Sequence, residues 1–394
     1  MIVLMAHNYY QTANPSGENI SFEAEVALLR EHGHRVVTYT RHSDEIRVDG
    51  LRHKLMAGTK AIWDRDTYLD LRRLLHEARP DIVHLQNIFP LISASAYNAC
   101  QQAKVPIVQT LRNYRLLCLN GLFFRDGHTC ELCLRKAVPW PGVLYACYRQ
   151  DRAASAAGAA ALVAQRLVQS RTQAVAVYIV LTEFARQKFM QGGFLREKLM
   201  VKPNFVHPDP RPGQGQGHYA LFVGRLSLEK GLACLLSAWE RLGARLPLKI
   251  VGDGPMRATV AGAAGTMEAV SWLGPKGKDE VVALMKDATV LIFPSSVYEG
   301  FPRVIVEAFS VGLPIVAAKL GAMSSIIDHG HTGLHYSPDD ANALVVQVEW
   351  MLSHPGELAQ MRKRAREEYQ AKYTAERNYH MLLDIYAAAR EVPR

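Results

Sequence analysis

The sequence predicts an α/β protein with two parallel-sheet domains. Patterns typical of short buried strands alternate with helical apolar spacing along both halves of the chain. A segment rich in Pro and Gly, residues 203–217, interrupts this alternation near the middle, as linkers between domains do. The chain has 394 residues. That is more than one ordinary core holds, so two domains of about 200 residues each are expected.

The N-terminal half is expected to form a parallel sheet with crossover helices, in which ligands bind beyond the carboxyl ends of the strands. The predicted strands are residues 2–5, 35–39, 81–86 and 105–110, and the predicted helices are residues 21–31 and 69–75. The ligand-side candidates are Gly17, in a turn that begins at Asn14, and His84, Asn87 and Arg112 at strand ends. A single histidine at a strand end is more often structural, so both roles stay open for His84.

Charge is unevenly divided between the halves. Residues 1–210 contain 26 Lys and Arg against 18 Asp and Glu, whereas the remainder contains 20 against 19. A basic N-terminal half fits an acidic ligand or an anionic membrane face, and it fits a merely solvated basic surface equally well. No nucleic-acid-binding motif accompanies the charge, so nucleic acid is not expected as a partner.

In the C-terminal half, a loop with two basic residues follows the predicted strand at residues 219–223. The loop contains Arg225 and Lys230, and a guanidinium beside an ammonium suits a diphosphate. The next strand, residues 248–251, leads into Gly252 and Gly254, which allow a ligand to approach the backbone closely. A further strand is predicted at residues 270–274, and together these units indicate a second parallel sheet.

Glu299 and Glu307 bracket a Gly-Phe-Pro turn that follows a predicted strand at residues 289–295. The pattern places Glu299 in a loop and Glu307 on the first turns of the next helix, with Pro302 in the first turn. Backbone N–H groups from Arg303 onward then point at an anion site that the helix dipole reinforces. An isolated pair of this kind usually has no such role. The order of successive strand–loop–helix units favours a site for a phosphorylated ligand.

The motifs Gly-Arg-Leu-x-x-Glu-Lys-Gly, Val-Gly-Asp-Gly-Pro, Leu-Gly and Glu-Gly-Phe-Pro-x4-Glu resemble the nucleotide-sugar half of glycosyltransferase family 4. The resemblance is close over about residues 219–340 and looser over most of the remaining chain. It implies a retaining, bacterial group 1 glycosyltransferase with the GT-B fold, in which two Rossmann-like parallel-sheet domains face each other across a cleft. The expected domains are an acceptor-side domain, residues 1–205, and a nucleotide-sugar domain, residues 206–378, with residues 379–394 crossing back onto the first.

The resemblance also implies roles for individual residues. Arg225 and Lys230 would hold the donor diphosphate, and Glu299 would contact hydroxyls of the transferred sugar. Glu307 would contact the ribose. The other implied donor contacts are Gly17, Gly252, Gly254, Leu273, Phe301, Arg303 and Val304. Many relatives carry a histidine where this chain has Arg112, so Arg112 is expected to add a phosphate or acceptor contact or to replace a spectator residue.

The implied function is transfer of a hexose-type sugar from a UDP- or GDP-sugar to a hydroxyl acceptor. The expected acceptor is a lipid-linked glycan intermediate of bacterial surface polysaccharide synthesis. No catalytic metal is expected, because Arg225 and Lys230 already supply positive charge. Two alternatives stay open, a nucleotide-sugar epimerase of the same fold and a catalytically silent glycosyltransferase-like binding subunit.

A cytoplasmic location is expected, with peripheral contact to the inner face of the membrane. The N-terminal residues lack the basic start of a signal peptide. The longest apolar stretch, residues 153–164, is Ala-rich and shorter than the ~20 residues that a membrane span needs.

Four of the six cysteines, Cys118, Cys130, Cys133 and Cys147, fall within 30 residues. A cytoplasmic protein seldom keeps disulfides, so this group suggests a structural zinc site with four thiolate ligands. Zinc would staple a segment rich in loop-forming residues. Four ordinary thiols are the alternative, and both interpretations stay open.

Overall fold

The computed structural model describes residues 1–12, 16–46, 50–172 and 174–392. The chain divides into two compact units. Unit 1 comprises Met1–Phe123, Cys130–Pro203 and Asn378–Arg394, and unit 2 comprises Phe124–Thr129 and Asn204–Arg377. The boundary expected from the sequence lay between residues 205 and 206.

Unit 1 is built on a six-stranded parallel sheet. The first eight strands of the chain are β1 (Ile2–Tyr9), β2 (Arg35–His42), β3 (Ile82–Leu85), β4 (Ile107–Leu111), β5 (Phe124–Arg125), β6 (His128–Thr129), β7 (Val175–Val180) and β8 (Leu199–Val201). The sheet order is β2-β1-β3-β4-β7-β8, and β5 pairs with β6 in a separate antiparallel hairpin. Strands β3, β4 and β7 are buried along their whole length, as expected for strands covered by helices on both faces.

The first seven helices are α1 (Gly17–Glu31), α2 (Gly50–Ile62), α3 (Arg65–Ala78), α4 (Ser95–Gln102), α5 (Trp140–Leu144), α6 (Arg152–Thr172) and α7 (Glu183–Gln191). Helix α1 begins at Gly17 because the Ser16 side chain caps it by accepting from the Glu18 N–H. Asn14 and Pro15 of the predicted turn lie outside the described residues. The apolar side of α1, including Phe22 and Val26, packs into one core with β1.

Unit 2 is built on a second six-stranded parallel sheet, in the order β11-β10-β9-β12-β13-β14. Its strands are β9 (Ala220–Val223), β10 (Leu248–Val251), β11 (Val270–Trp272), β12 (Val290–Phe293), β13 (Ile315–Ala318) and β14 (Gly333–Tyr336). The remaining helices are α8 (Leu232–Leu242), α9 (Arg257–Thr266), α10 (Lys278–Asp287), α11 (Arg303–Ser310), α12 (Met323–Ile326), α13 (Ala341–Ser353), α14 (Pro355–Lys372) and α15 (Ala375–Glu391). The predicted fold class, with two Rossmann-like parallel sheets, is confirmed.

Helix α15 belongs to the core of unit 1 for most of its length. Leu382, Ile385 and Tyr386 are buried in the same cluster as Val3 and Met5 of β1. Among the residues that the structure describes, no helix is both long and apolar enough to cross a bilayer.

Candidate functional site

The strand order of unit 2 creates a switch point between β9 and β12. Counted along the chain within this unit, the order is 3-2-1-4-5-6, and it reverses between these two neighbours. The connections that leave the two strands therefore diverge, and the carboxyl ends of strands at such a switch point are where ligands bind in open α/β sheets. The loops after β9 and β12 are the ones that carry Arg225, Lys230 and Glu299.

These two loops are in close contact at Gly231. Gly231 has φ +70°, in the left-handed region that favours glycine. A Cβ at this position would overlap the carbonyl oxygen of Pro294, in the loop after β12. The Ser296 N–H also donates to the Glu229 carbonyl at 2.9 Å. The absence of a side chain at 231 thus lets one loop lie directly against the other.

Lys230 and Glu299 form an ion pair at this contact. The distance from Lys230 Nζ to Glu299 Oε1 is 2.6 Å, and the two side chains keep exposures of 24% and 15%. The hydroxyl of Ser295, which is almost fully buried, donates to the same carboxylate oxygen at 2.7 Å and lies 3.2 Å from the Glu229 carbonyl oxygen. The structure therefore brings two of the predicted catalytic residues together and leaves both accessible to a ligand. The third, Arg225, is exposed on the same loop.

The turn after Glu299 leads directly into α11. The helix begins at Arg303, and Pro302 is the N-cap residue before it. The sequence analysis had placed Pro302 one position later, in the first turn of the helix. In the described structure no side chain caps this helix. Arg303 Nη2 lies 3.6 Å from Glu307 Oε1, one turn further along. The predicted contacts Arg303, Val304 and Glu307 therefore share the start of one helix.

The loops after β9, β10 and β11 are joined by backbone hydrogen bonds. Gly252 has φ +140°, and a Cβ there would overlap the Gly224 carbonyl oxygen. The Gly224 N–H donates to Val251, and the Gly252 N–H donates to Gly274. Gly252 thus holds the loops of three neighbouring strands together, and Gly254 and the half-buried Leu273 lie on these same loops.

In unit 1, the structure corrects the ligand-side assignment of His84. His84 lies within β3 and is fully buried. Its Nδ1 is 2.8 Å from the Tyr386 hydroxyl, and its Nε2 is 2.7 Å from the Thr110 hydroxyl. Burial lowers the pKa of His84 to about 4, so the ring is neutral at pH 7. With both nitrogens bonded inside the core, His84 is a structural residue.

Arg112 is held in a buried network of charged and polar groups. Its Nε donates to Gln86 Oε1 at 2.9 Å, and its Nη2 lies 3.3 Å from Glu25 Oε2. Lys202 Nζ approaches the other oxygen of Glu25 at 2.6 Å. Burial alone would raise the pKa of Glu25, but the charges of Lys202 and Arg112 outweigh it and bring the pKa to about 2. Arg112 is therefore anchored as one cation of a buried ionic cluster.

A pocket with an empty volume of about 400 Å³, open to solvent, lies beyond the carboxyl ends of β3 and β4. Glu18, Asn87, Arg112, Asn113 and Arg115 contribute polar groups to its wall. Asn113 Nδ2 donates to Glu18 Oε1 at 2.9 Å. The position agrees with the rule that ligands bind at strand ends, and it gives Asn87 the location that the sequence predicted.

In the described part of the chain the four clustered cysteines form no disulfide bond, and Cys118 and Cys133 are buried. Burial raises the pKa of both, to about 11 for Cys133, whose thiol also feels Cys118, Cys130 and Cys147 nearby. Within the described part of the chain, no three His, Cys, Asp or Glu side chains are arranged to hold a metal ion. Zinc binding by these cysteines stays a prediction, which metal analysis of the purified protein tests.

Among the residues of these sites that sequence reasoning missed are Ser295, Glu25 and Lys202. Glu25 carried a usable signal, because it falls on the same helical stripe as Phe22 and Val26, where a charge needs a buried partner. Lys202 carried none, since its partner Glu25 is 177 residues away along the chain. The serine at 295 gave no sign that it would bond Glu299, four residues further on.

Comparisons with known proteins find relatives for both halves of the chain. The family model described as glycosyl transferases group 1 matches residues 210–368. A second, described as a glycosyl transferase 4-like domain, matches residues 16–204.

The D-rhamnosyltransferase WbpZ of Pseudomonas aeruginosa is 32% identical over 161 residues, 40% of this chain and 42% of that relative. A glycogen synthase of Mycobacterium tuberculosis is 28% identical over 48% of this chain and 46% of its own length. The chain thus spans about half the length of these curated relatives.

Solved structures show the same fold at low sequence identity. HepE from Anabaena, in complex with UDP, has a TM-score of 0.68 at 16% identity, with 98% of this chain and 100% of that chain covered. A further HepE structure contains UDP-glucose. A sucrose-phosphate synthase from Thermosynechococcus elongatus has a TM-score of 0.66 at 17% identity, with 98% of each chain covered. The fold and the sequence motifs define a GT-B protein. The chain belongs to the group 1 glycosyltransferases.

Proposed function

We propose that this protein is a retaining glycosyltransferase of family 4 that transfers a hexose-type sugar from a UDP- or GDP-sugar to a hydroxyl group. The observation that carries the proposal is the Lys230–Glu299 ion pair at the switch point of unit 2, with Arg225 on the same loop. Family membership and the UDP and UDP-glucose complexes of HepE support it.

Each charged residue of the site has a proposed part in donor binding. Lys230 and Arg225 stabilise the diphosphate, which gains negative charge as it leaves. Glu299 accepts hydrogen bonds from hydroxyls of the transferred sugar, and Glu307 accepts them from the ribose. The remaining donor contacts in unit 2 are proposed at Gly252, Gly254, Leu273, Phe301, Arg303 and Val304.

The proposed reaction needs no protein nucleophile. The bond between the anomeric carbon and the diphosphate oxygen breaks, and the acceptor oxygen bonds to the same face of that carbon. The acceptor proton passes to the departing phosphate. The chain contributes orientation and positive charge, which are the two main ways in which a rigid site lowers such a barrier. Lys230 is suited to this role because its ion-pair partner Glu299 lies at the same loop contact and is proposed to bind the transferred sugar.

The acceptor is proposed to bind in the pocket of unit 1 and to be a lipid-linked glycan intermediate of a bacterial surface polysaccharide. Arg115 brings positive charge to this pocket, and its guanidinium lies 4.7 Å from the centre of the Phe89 ring, which also lines it. Glu25 and Gln86 fix Arg112 in the pocket wall. We therefore propose that Arg112 shapes the pocket wall rather than taking the part of a catalytic histidine.

A donor screen followed by a transfer assay tests the proposed function. UDP-, GDP- and ADP-sugars are screened by thermal shift, and the sugar nucleotide that stabilises the chain is then incubated with and without a hydroxyl acceptor. Free nucleoside diphosphate is expected only with acceptor. Epimerised donor without acceptor would indicate an epimerase, and binding without turnover on any acceptor would indicate a silent subunit.

A further inference from the structure

Five large apolar side chains stand out from one short stretch of unit 1. They are all between 48% and 55% exposed, and they are Leu132, Val138, Trp140, Leu144 and Tyr145. Soluble proteins seldom expose so many large apolar groups in a single stretch unless another surface covers them. Together with Arg135 and Lys136, which are also exposed, these residues are called the α5 face.

Helix α5 has one buried side and one exposed side. Pro141 and Gly142 are buried, and a Cβ on Gly142 would collide with the side chain of Leu119. The helix is therefore pressed against unit 1 through its Pro141–Gly142 side. Trp140 and Leu144 are four residues apart, so they are neighbours on one side of a helix, and both are exposed. Their exposure thus follows from the way the helix is seated.

The turn before α5 is fixed as well. Arg166 of α6 donates from Nη1 to the carbonyl oxygens of Lys136 at 2.7 Å and Ala137 at 3.1 Å. The Lys136 ammonium lies 5.9 Å from the centre of the Trp140 ring. The basic and aromatic parts of the α5 face are thus held side by side.

The charge of this region is positive. Residues 130–152 contain four basic residues against two acidic ones. One of the acidic residues, Glu131, is paired with Lys188 at 2.6 Å. The other, Asp151, accepts from the Ala154 N–H at the start of α6, also at 2.6 Å. Both carboxylates therefore have partners outside the α5 face, which presents positive charge to its surroundings.

We propose that the α5 face docks unit 1 on the surface of an anionic lipid bilayer. Trp and Tyr rings prefer the boundary between headgroups and acyl chains, aliphatic side chains enter below it, and Lys and Arg attract anionic headgroups. The α5 face supplies all three kinds of group from one short segment. Docking does not depend on the transferase reaction, so vesicle binding and turnover are independent readouts.

Co-sedimentation of the full chain with vesicles tests docking. Vesicles of phosphatidylcholine with phosphatidylglycerol are compared with vesicles of phosphatidylcholine alone. The chain is expected to bind the anionic vesicles, with binding that weakens as salt is added. Trp140→Ala combined with Leu144→Ala, and separately Arg135→Glu combined with Lys136→Glu, should each weaken binding by about tenfold or more.

Matched variants control for general effects. Leu195→Ala removes an equally exposed leucine elsewhere in unit 1 and is compared with Leu144→Ala. Arg72→Glu combined with Arg73→Glu makes the same change in net charge on α3 and should leave binding nearly intact. Thermal unfolding of every variant verifies that it is folded.

Equal binding by wild type and both α5 variants, or no binding of wild type to anionic vesicles, would overturn the proposal. Self-association that disappears in Trp140→Ala, without vesicle binding, would also overturn it and assign the α5 face to a second copy of the chain.

Discussion

Lys230 and Glu299 form an ion pair, with 2.6 Å between Lys230 Nζ and Glu299 Oε1. A bound diphosphate would offer Lys230 a second anionic partner, while Glu299 would remain available to sugar hydroxyls. Ser295 supports this arrangement because it holds the carboxylate from a buried position. In the proposed donor site, the ion pair would therefore hold both groups in place before a donor binds.

Lys230→Ala and Arg225→Ala should each lower turnover by roughly 100-fold or more, because each removes charge that stabilises the departing diphosphate. Steady-state release of nucleoside diphosphate measures the effect. Lys363→Ala, which removes an exposed lysine on α14 of the same unit, should leave turnover unchanged. Near-normal turnover in both site variants would show that the donor diphosphate does not bind at this loop.

Glu299→Gln should lower turnover and preserve affinity for free nucleoside diphosphate. A hydrogen bond to a charged partner contributes about 1.5–3 kcal/mol, so a loss of about 10- to 100-fold is expected in sugar transfer. Calorimetric titration with the nucleoside diphosphate supplies the second readout, and the exposed Glu268→Gln is the control. An equal loss of nucleotide affinity would show that Glu299 does not face the sugar.

Glu25→Gln should destabilise unit 1 by about 3 kcal/mol, because it leaves Lys202 and Arg112 buried without their counter-charge. The pKa of Glu25 is about 2 in the folded protein against an ordinary value of 4.5. The stabilisation is therefore fully present above pH 4.5 and is lost as the pH falls towards 2.

Urea unfolding of wild type and Glu25→Gln at several pH values measures the difference between their free energies of unfolding. The gap between the two proteins should be constant near neutrality and should close between pH 4.5 and pH 2. Glu31→Gln, at the exposed end of the same helix, should show no such gap. A gap that persists undiminished at pH 2 would mean that Glu25 is not the charged centre of the cluster.

At the scale of elements, the loops of unit 2 depend on glycines that bring backbones together. Gly252→Ala should destabilise unit 2 and abolish donor binding, since φ is +140° and a Cβ would overlap the Gly224 carbonyl. Gly262→Ala is the matched control. It lies inside α9 with nothing within 4 Å of the added Cβ, so it should leave stability unchanged or raise it by about 0.5–1 kcal/mol. Thermal unfolding with and without nucleoside diphosphate checks both, and normal donor binding by Gly252→Ala would contradict the expected loop contact.

The elements near the site were predictable where apolar patterns were strong. Residues 248–251 were predicted as a strand, and β10 has these bounds. His84 was predicted inside a strand at residues 81–86 with a ligand-side and a structural role both open, and it lies within β3, opposite Met5 and Val108 of the neighbouring strands. The strand pattern placed His84 in the sheet, and only its hydrogen bonds with Tyr386 and Thr110 decide that it is a core residue.

Pairings between distant residues could not be predicted from the sequence. Lys230 and Glu299 are 69 residues apart, and Glu25 and Lys202 are 177 residues apart. Local patterns fix which face of an element is buried, but they do not fix which polar groups meet across a sheet. The motifs placed Lys230 and Glu299 on loops at strand ends, and only the strand order β9-β12 makes those loops neighbours.

At the scale of the whole molecule, each unit repeats the same physical solution. A parallel sheet is covered by helices, and polar groups gather beyond the carboxyl ends of its central strands. In unit 2 these groups form the proposed donor site, and in unit 1 they form the proposed acceptor pocket above a buried ionic cluster. The excess of positive charge lies in residues 1–210, which fits an anionic acceptor and the proposed docking of the α5 face.

A crystal structure of the chain with the nucleoside diphosphate of its preferred donor tests the central claim most directly. The β-phosphate is expected within about 2.7–2.9 Å of Lys230 Nζ, with the Arg225 guanidinium on the same phosphate group. The terminal oxygens of the β-phosphate should face the loop after β12, near Glu299 and the start of α11. A nucleotide bound elsewhere, or one whose phosphates make no contact with Lys230 or Arg225, would contradict the proposed donor site.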